Sequence, residues 1–181
     1  MKKIFASLSA FILIIVGILA LSSCSNKKTF YSEWHAAGAE IEKENVFKSI
    51  DVEEASSKIA ANESFALFLG SSSDSSAVKS VTAMQATADV KNYEGKVYFI
   101  TTTEIMKSTS KRKDANNKLG NIDIGTTNDV FCVIYKNGSI DINTLNPKGA
   151  YEDRIKQFKI GSSVNIVAVM EYVIELYPVA E

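Results

Sequence analysis

Phe65-Ala66-Leu67-Phe68-Leu69, an unbroken apolar run closed by Gly70, constrains the fold of this chain more than any other feature. The run has strand length and no polar alternation, the pattern of a strand buried on both faces. Such a strand needs cover above and below it, and the flanking residues supply two helical faces. Before it, Val52, Ala55 and Ile59 share one side of a helix that ends near Asn62, with Asp51 and Glu54 spaced as in a capping box. After it, beyond a run of serines, Ala77, Val81, Met84 and Ala88 share one side of a second helix. Residues 46–50 and 96–102 read as further strands, the latter rich in β-branched and aromatic side chains.

The second half is less regular. Residues 105–127 are polar and basic, with a short helix expected over 114–119 that stops at Gly120. Residues 130–135 form an apolar strand, and Asn137-Gly138 supplies the turn of a hairpin leading into residues 140–142. Residues 143–161 read as an irregular excursion with a helical turn over 151–158. The last helix, 163–176, is apolar on most sides and stops before Pro178. Ahead of all this, Trp34, Ala37 and Ile41 are spaced for a short amphipathic helix within residues 30–45, although Gly38 interrupts the pattern. The order is strand, helix, strand, helix, strand, helix, hairpin, helix, which suits an α/β domain with a mixed sheet and helices on both faces. No internal repeat and no second domain are evident.

The amino-terminal residues carry a different kind of signal. Met1-Lys2-Lys3 precedes an uncharged apolar stretch over residues 4–20, the layout of a secretory signal. An uncleaved membrane anchor is the alternative, since residues 4–21 are nearly long enough to span a bilayer. Leu21-Ser22-Ser23-Cys24 favours the first reading, because it resembles the lipobox of bacterial lipoproteins. The resemblance implies a thioether to diacylglycerol on the Cys24 sulfur, cleavage before it, and a chain held on the outer face of the cell membrane by its acyl (palmitate-type) chains. The domain plan is then a signal over residues 1–23, a lipidated tether over 24–29 and one folded domain over 30–181. Removal of 23 residues from 181 leaves 158, enough for a single proper core. Loss of Lys2 and Lys3 from 20 basic residues, against 21 acidic ones, leaves a charge of −3. That mild acidity lacks the basic footprint a nucleic-acid partner requires. With Cys24 acylated, Cys132 is the remaining cysteine, and no intramolecular disulfide can form.

The local motifs resemble the thioredoxin family. Phe65 to Gly70, followed by a short loop and a helix, is similar to the strand that delivers the family's Cys-x-x-Cys. Val130 to Gly138, an apolar strand running into Tyr135-Lys136-Asn137-Gly138, is similar to its fourth strand and Lys-Asn-Gly hairpin. The likeness covers residues 46–176 and is nearest to thioredoxin-like lipoproteins and bacteriocin-transport accessory proteins of low-GC Gram-positive bacteria. It implies a three-layer thioredoxin-like sandwich in which residues 65–69 and 131–135 are neighbouring, antiparallel central strands.

Two departures follow from the same alignment. Ser73-Asp74-Ser75-Ser76 stands where the family carries its two cysteines. A serine hydroxyl is not ionised at neutral pH and forms no disulfide, whereas the redox step needs a thiolate. The family's cis-proline falls at about Val130, and the chain's prolines are Pro147 and Pro178. The resemblance therefore implies a degenerate redox site, no disulfide reductase activity and no cofactor.

Other candidates weigh less. The serine run, residues 71–76, reads either as an anion or backbone site at a helix start or as a loop and N-cap; the second is favoured. His35, the one histidine, sits apart from any evident orienting acid, a poor basis for a serine hydrolase. Cys132, between Phe131 and Val133, reads as a buried small hydrophobe. Lys107, Lys111, Arg112 and Lys113 read as a solvated face, or as a contact for anionic headgroups or wall polymers. Trp34 reads as a core or docking residue, and no metal-ligand spacing is present. The expected function is a non-catalytic binding or accessory module, its partner an envelope or secretion-system protein. An enzyme of unrecognised chemistry and a structural envelope component are the alternatives.

Overall fold

The computed structural model describes residues 29–122, 124, 130–141, 158–159 and 163–177, with side chains placed except at 158–159 and 163–165. The chain enters through a short helix, α1 (Phe30–Ala36), whose Thr29 hydroxyl accepts from the Ser32 N–H at 3.1 Å. The expectation of a helix reaching toward residue 45 is corrected here. Gly38 takes φ +100°, its N–H donates to His35 O, and the Ala39 N–H donates to Trp34 O. This pair of bonds is a Schellman closure, which a left-handed glycine allows and a helical one would not. Ile41 is buried all the same, from an irregular segment.

Next come β1 (Phe47–Ser49) and α2 (Val52–Ala60). The Asp51 carboxylate accepts from the Glu54 N–H at 2.9 Å, as the capping pattern predicts. β2 (Phe65–Gly70) is buried at every residue, and α3 (Ser75–Val90) buries Ala77, Val81, Met84 and Ala88 completely. β3 (Val97–Thr101) follows. The helix expected over 114–119 is longer: α5 spans Thr109–Lys118 and is preceded by a single turn, α4 (Thr103–Met106). Ser108 sets the earlier start, because its hydroxyl accepts from the Lys111 N–H.

β4 (Phe131–Lys136) turns through Asn137 and Gly138 into β5 (Ser139–Ile140). Both turn residues have positive φ, 50° and 72°, as a two-residue type I′ hairpin requires. Phe158, expected to end a helical turn, instead lies in β6 (Phe158–Lys159), paired antiparallel with Phe131 and Cys132. β5 covers only the Tyr135–Lys136 end of that edge, so ladder groups at the other end remain for β6 to pair. The expected residues 142, 147, 151–157 and 178 lie outside the described residues. α6 (Ser163–Leu176) matches its expected span.

The sheet runs β1-β3-β2-β4-β5, with β6 also on β4. β1, β3 and β2 are parallel; β4 is antiparallel to β2, in a register that sets Leu67 opposite Val133. Alternation along β2 divides the core. Ala66 and Phe68 face a cluster built with Phe30 and Trp34 of α1 and with the apolar sides of α3 and α6. Phe65, Leu67 and Leu69 face a second cluster with Ala55 of α2, Ala115 of α5 and Leu119. The architecture is α/β, a mixed sheet with helices on both faces. Among the described residues no helix is long and apolar enough to cross a membrane.

Candidate functional site

In an open α/β sheet, ligands lie beyond the carboxyl ends of the parallel strands. Here β1, β3 and β2 end side by side at Ser49, Thr101 and Gly70, and the loops that follow carry most of the local hydroxyl groups. Gly70 is constrained by close approach. A Cβ built there would lie 2.8 Å from Val130 Cγ2 and 3.2 Å from Phe99 Cζ, so any side chain forces neighbours to shift. Val130, fully buried, thus stands against the end of β2 and beside the serine loop.

Beyond Gly70 the hydroxyls form one directed chain. The Ser72 hydroxyl lies 2.8 Å from Glu33 Oε1 and donates to it, since a carboxylate only accepts. Ser72 Oγ then accepts from the Thr103 hydroxyl at 2.9 Å. Thr103 Oγ1 in turn accepts from the Ser72 N–H at 3.1 Å and from the Ser71 hydroxyl at 3.3 Å. Hydrogen bonds aligned in series polarise one another. The chain ties α1, the β2–α3 loop and the start of α4 together. The indole N–H of Trp34, the residue after Glu33, donates to Thr101 Oγ1 at 3.0 Å, a second tie between α1 and the sheet.

Asp74 occupies the start of α3. Its carboxylate accepts from the N–H groups of Ser76 at 2.8 Å and Ala77 at 3.1 Å. The positive end of the helix dipole therefore faces a carboxylate of the chain itself, and the Ser76 and Ala77 amides are already paired. Ser73 and Ser75 are exposed and Ser76 half-buried. The structure thus brings Ser73, Asp74, Ser75 and Ser76 to one helix start, with Val130 next to it across Gly70. Cys24 lies outside the described residues.

The remaining candidates are dispersed. His35 is exposed and stacks on Tyr31 at 4.9 Å, while the Ser72 hydroxyl is engaged by Glu33 and Thr103. Cys132 is fully buried opposite Phe68 in the middle of the sheet, and burial pushes its thiol far above the usual range. In a Cys24→Ser chain, Ellman's reagent should leave Cys132 unmodified under native conditions and titrate one thiol in denaturant. Rapid native labelling would show that the β4–β6 edge opens. Lys111 and Lys113 are exposed on α5, Arg112 is half-buried, and Lys107 pairs with Glu104 at 2.6 Å.

No protein-family model matches the chain, and no curated protein is similar to it.

A groove of about 620 Å³ opens beside the hydroxyl chain, between α1, the ends of β1 and β3, and the first turn of α2. Phe30, Ile50 and Ile100 supply its apolar floor, and Glu33, Asp51, Glu53 and Glu54 its rim. Asp51 caps α2, and Lys118 pairs with Glu53. The four rim carboxylates nonetheless make this side of the domain acidic. Sequence reasoning singled out neither Glu33 nor Thr103. They stand 39 and 31 residues from Ser72, and no local pattern announces the pairing.

Proposed function

We propose that this chain is a lipid-anchored, extracytoplasmic binding or accessory module, built on a thioredoxin-like sandwich that performs no thiol exchange. One observation carries the reading most: Asp74, flanked by serines, occupies the helix start at the carboxyl end of β2. A family thiolate would draw on the amides that this carboxylate accepts from. Support for the fold comes from β2 and β4 lying side by side and antiparallel, between helices on both faces. Support for the anchor comes from the lipobox-like residues before Cys24. Its partner is an envelope or secretion-system protein met at the outer face of the cell membrane.

The test has two parts. Metabolic acyl labelling should mark the native chain and fail on Cys24→Ala, which should also retain its uncleaved signal; labelling that persists in the variant removes the anchor. Insulin reduction by the purified domain should stay at background. Turnover that disappears in Cys132→Ala would mean that a lone thiol performs the chemistry assigned here to none.

A further inference from the structure

Thr29, the first described residue, stands between two grooves of opposite charge. One is the acidic groove beside Glu33. The other, of about 600 Å³, lies along the outer edge of β1 and is lined by Tyr31, Phe47, Lys43, Lys48 and Lys96; Thr29 and Phe30 line both. Lys43, Lys48 and Lys96 are exposed, and among the described residues none of them is in an ion pair. Lys96 Nζ donates to Asn45 O at 2.6 Å, and Lys48 Nζ lies 5.4 Å from the Tyr98 ring centre. Both ammonium groups keep donors for a further acceptor. Glu42 and Glu44 flank Lys43 in sequence but line neither groove.

Resting on the lipid anchor proposed above, a length argument applies. Five residue steps separate Cys24 from Thr29, which reach at most about 18 Å when fully extended. A domain of this size is roughly 35–40 Å across. An anchor at Cys24 therefore holds the pole bearing Thr29 against the bilayer, and the opposite pole cannot reach it. An anionic surface attracts the lysine groove and repels the carboxylates of the other, within a Debye length of about 8–10 Å.

We infer that the groove along the outer edge of β1 is the membrane-contacting surface, with Lys43, Lys48 and Lys96 against anionic phospholipid headgroups. The acidic groove then turns away from the bilayer, open to a partner in the extracytoplasmic space. Lys107, with Lys111, Arg112 and Lys113 of α5, is the competing surface, but none of the four lines either groove beside Thr29.

Lysine footprinting with an amine-reactive ester, read by mass spectrometry, tests this on the native lipoprotein purified from membranes. On vesicles of phosphatidylglycerol and phosphatidylcholine, modification of Lys43, Lys48 and Lys96 should fall by about threefold or more relative to phosphatidylcholine alone, and high salt should restore it. Lys111, Lys113 and Lys136 should react equally on both. Protection at Lys111 and Lys113 instead, or no protection anywhere on vesicles that carry the protein, overturns the orientation and leaves the anchor standing. A native chain that fails to float with either vesicle overturns the anchor and the orientation together.

Discussion

Leu67→Ala should lower the unfolding free energy by about 2–5 kcal/mol, the range for deleting a fully buried leucine. Leu67 sits at the centre of β2, flanked by Tyr98 of β3 and Val133 of β4, with no exposed surface. Its side chain points into the cluster that α2 and α5 cover, where Phe65, Leu69 and Leu119 are held by the strands and by a helix end. Neighbours fixed in this way collapse little, so the lost transfer energy is joined by a cavity term. Lys113→Ala, at an exposed position of α5, should change stability by no more than about 0.5 kcal/mol. Urea denaturation of the Cys24→Ser chain compares the two variants. A negligible effect at Leu67 would mean that β2 is not the central strand.

Trp34→Ala should cost as much or more, about 3–5 kcal/mol, although Trp34 lies ahead of the first strand. Its ring is fully buried, stacked with Phe30 at 5.5 Å and edge-on to Phe99 at 5.3 Å. The indole N–H is satisfied by Thr101 Oγ1. Alanine removes the ring from between α1 and the sheet and exposes the end of β2 near Gly70. Trp34→Phe should recover most of the packing and lose about 1 kcal/mol for the missing hydrogen bond. Because the chain has one tryptophan, its emission in the parent reports this environment directly. If Trp34→Ala unfolds at the parent's urea concentration, α1 is an appendage and the hydroxyl chain through Glu33 contributes nothing to the fold. Matching losses at Leu67 and Trp34 would make α1 part of the same cooperative unit as the sheet.

These two residues differ in how readily their roles are read. Leu67 belongs to a run whose uniform apolarity already implies burial on both faces. The helices around it announce themselves through spacing: Ala77, Val81, Met84 and Ala88 on α3, and Asp51 ahead of α2. The Asn137-Gly138 turn is equally local, since both residues tolerate positive φ. Each signal acts over a few residues, where backbone sterics and side-chain period suffice.

Trp34 is harder to place, because its apolar spacing with Ile41 suggests a single short helix that continues past Gly38. Tertiary burial claims Ile41 without helical geometry, while the Gly38 closure ends α1 early. β6 had no local signal at all; it exists because β5 leaves part of the β4 edge unpaired. The same holds at the candidate site. The serines and Asp74 could be read as a helix start from their identities, and the absence of a redox pair follows from those identities alone. That Ser72 would donate to Glu33 while accepting from Thr103 depends on three segments meeting at the strand ends. The placing of acidic and basic grooves on either side of Thr29 depends on it too. Local periodicity and capping chemistry are written residue by residue, whereas contacts across 30 or 40 residues arise only when the sheet brings the chain back on itself.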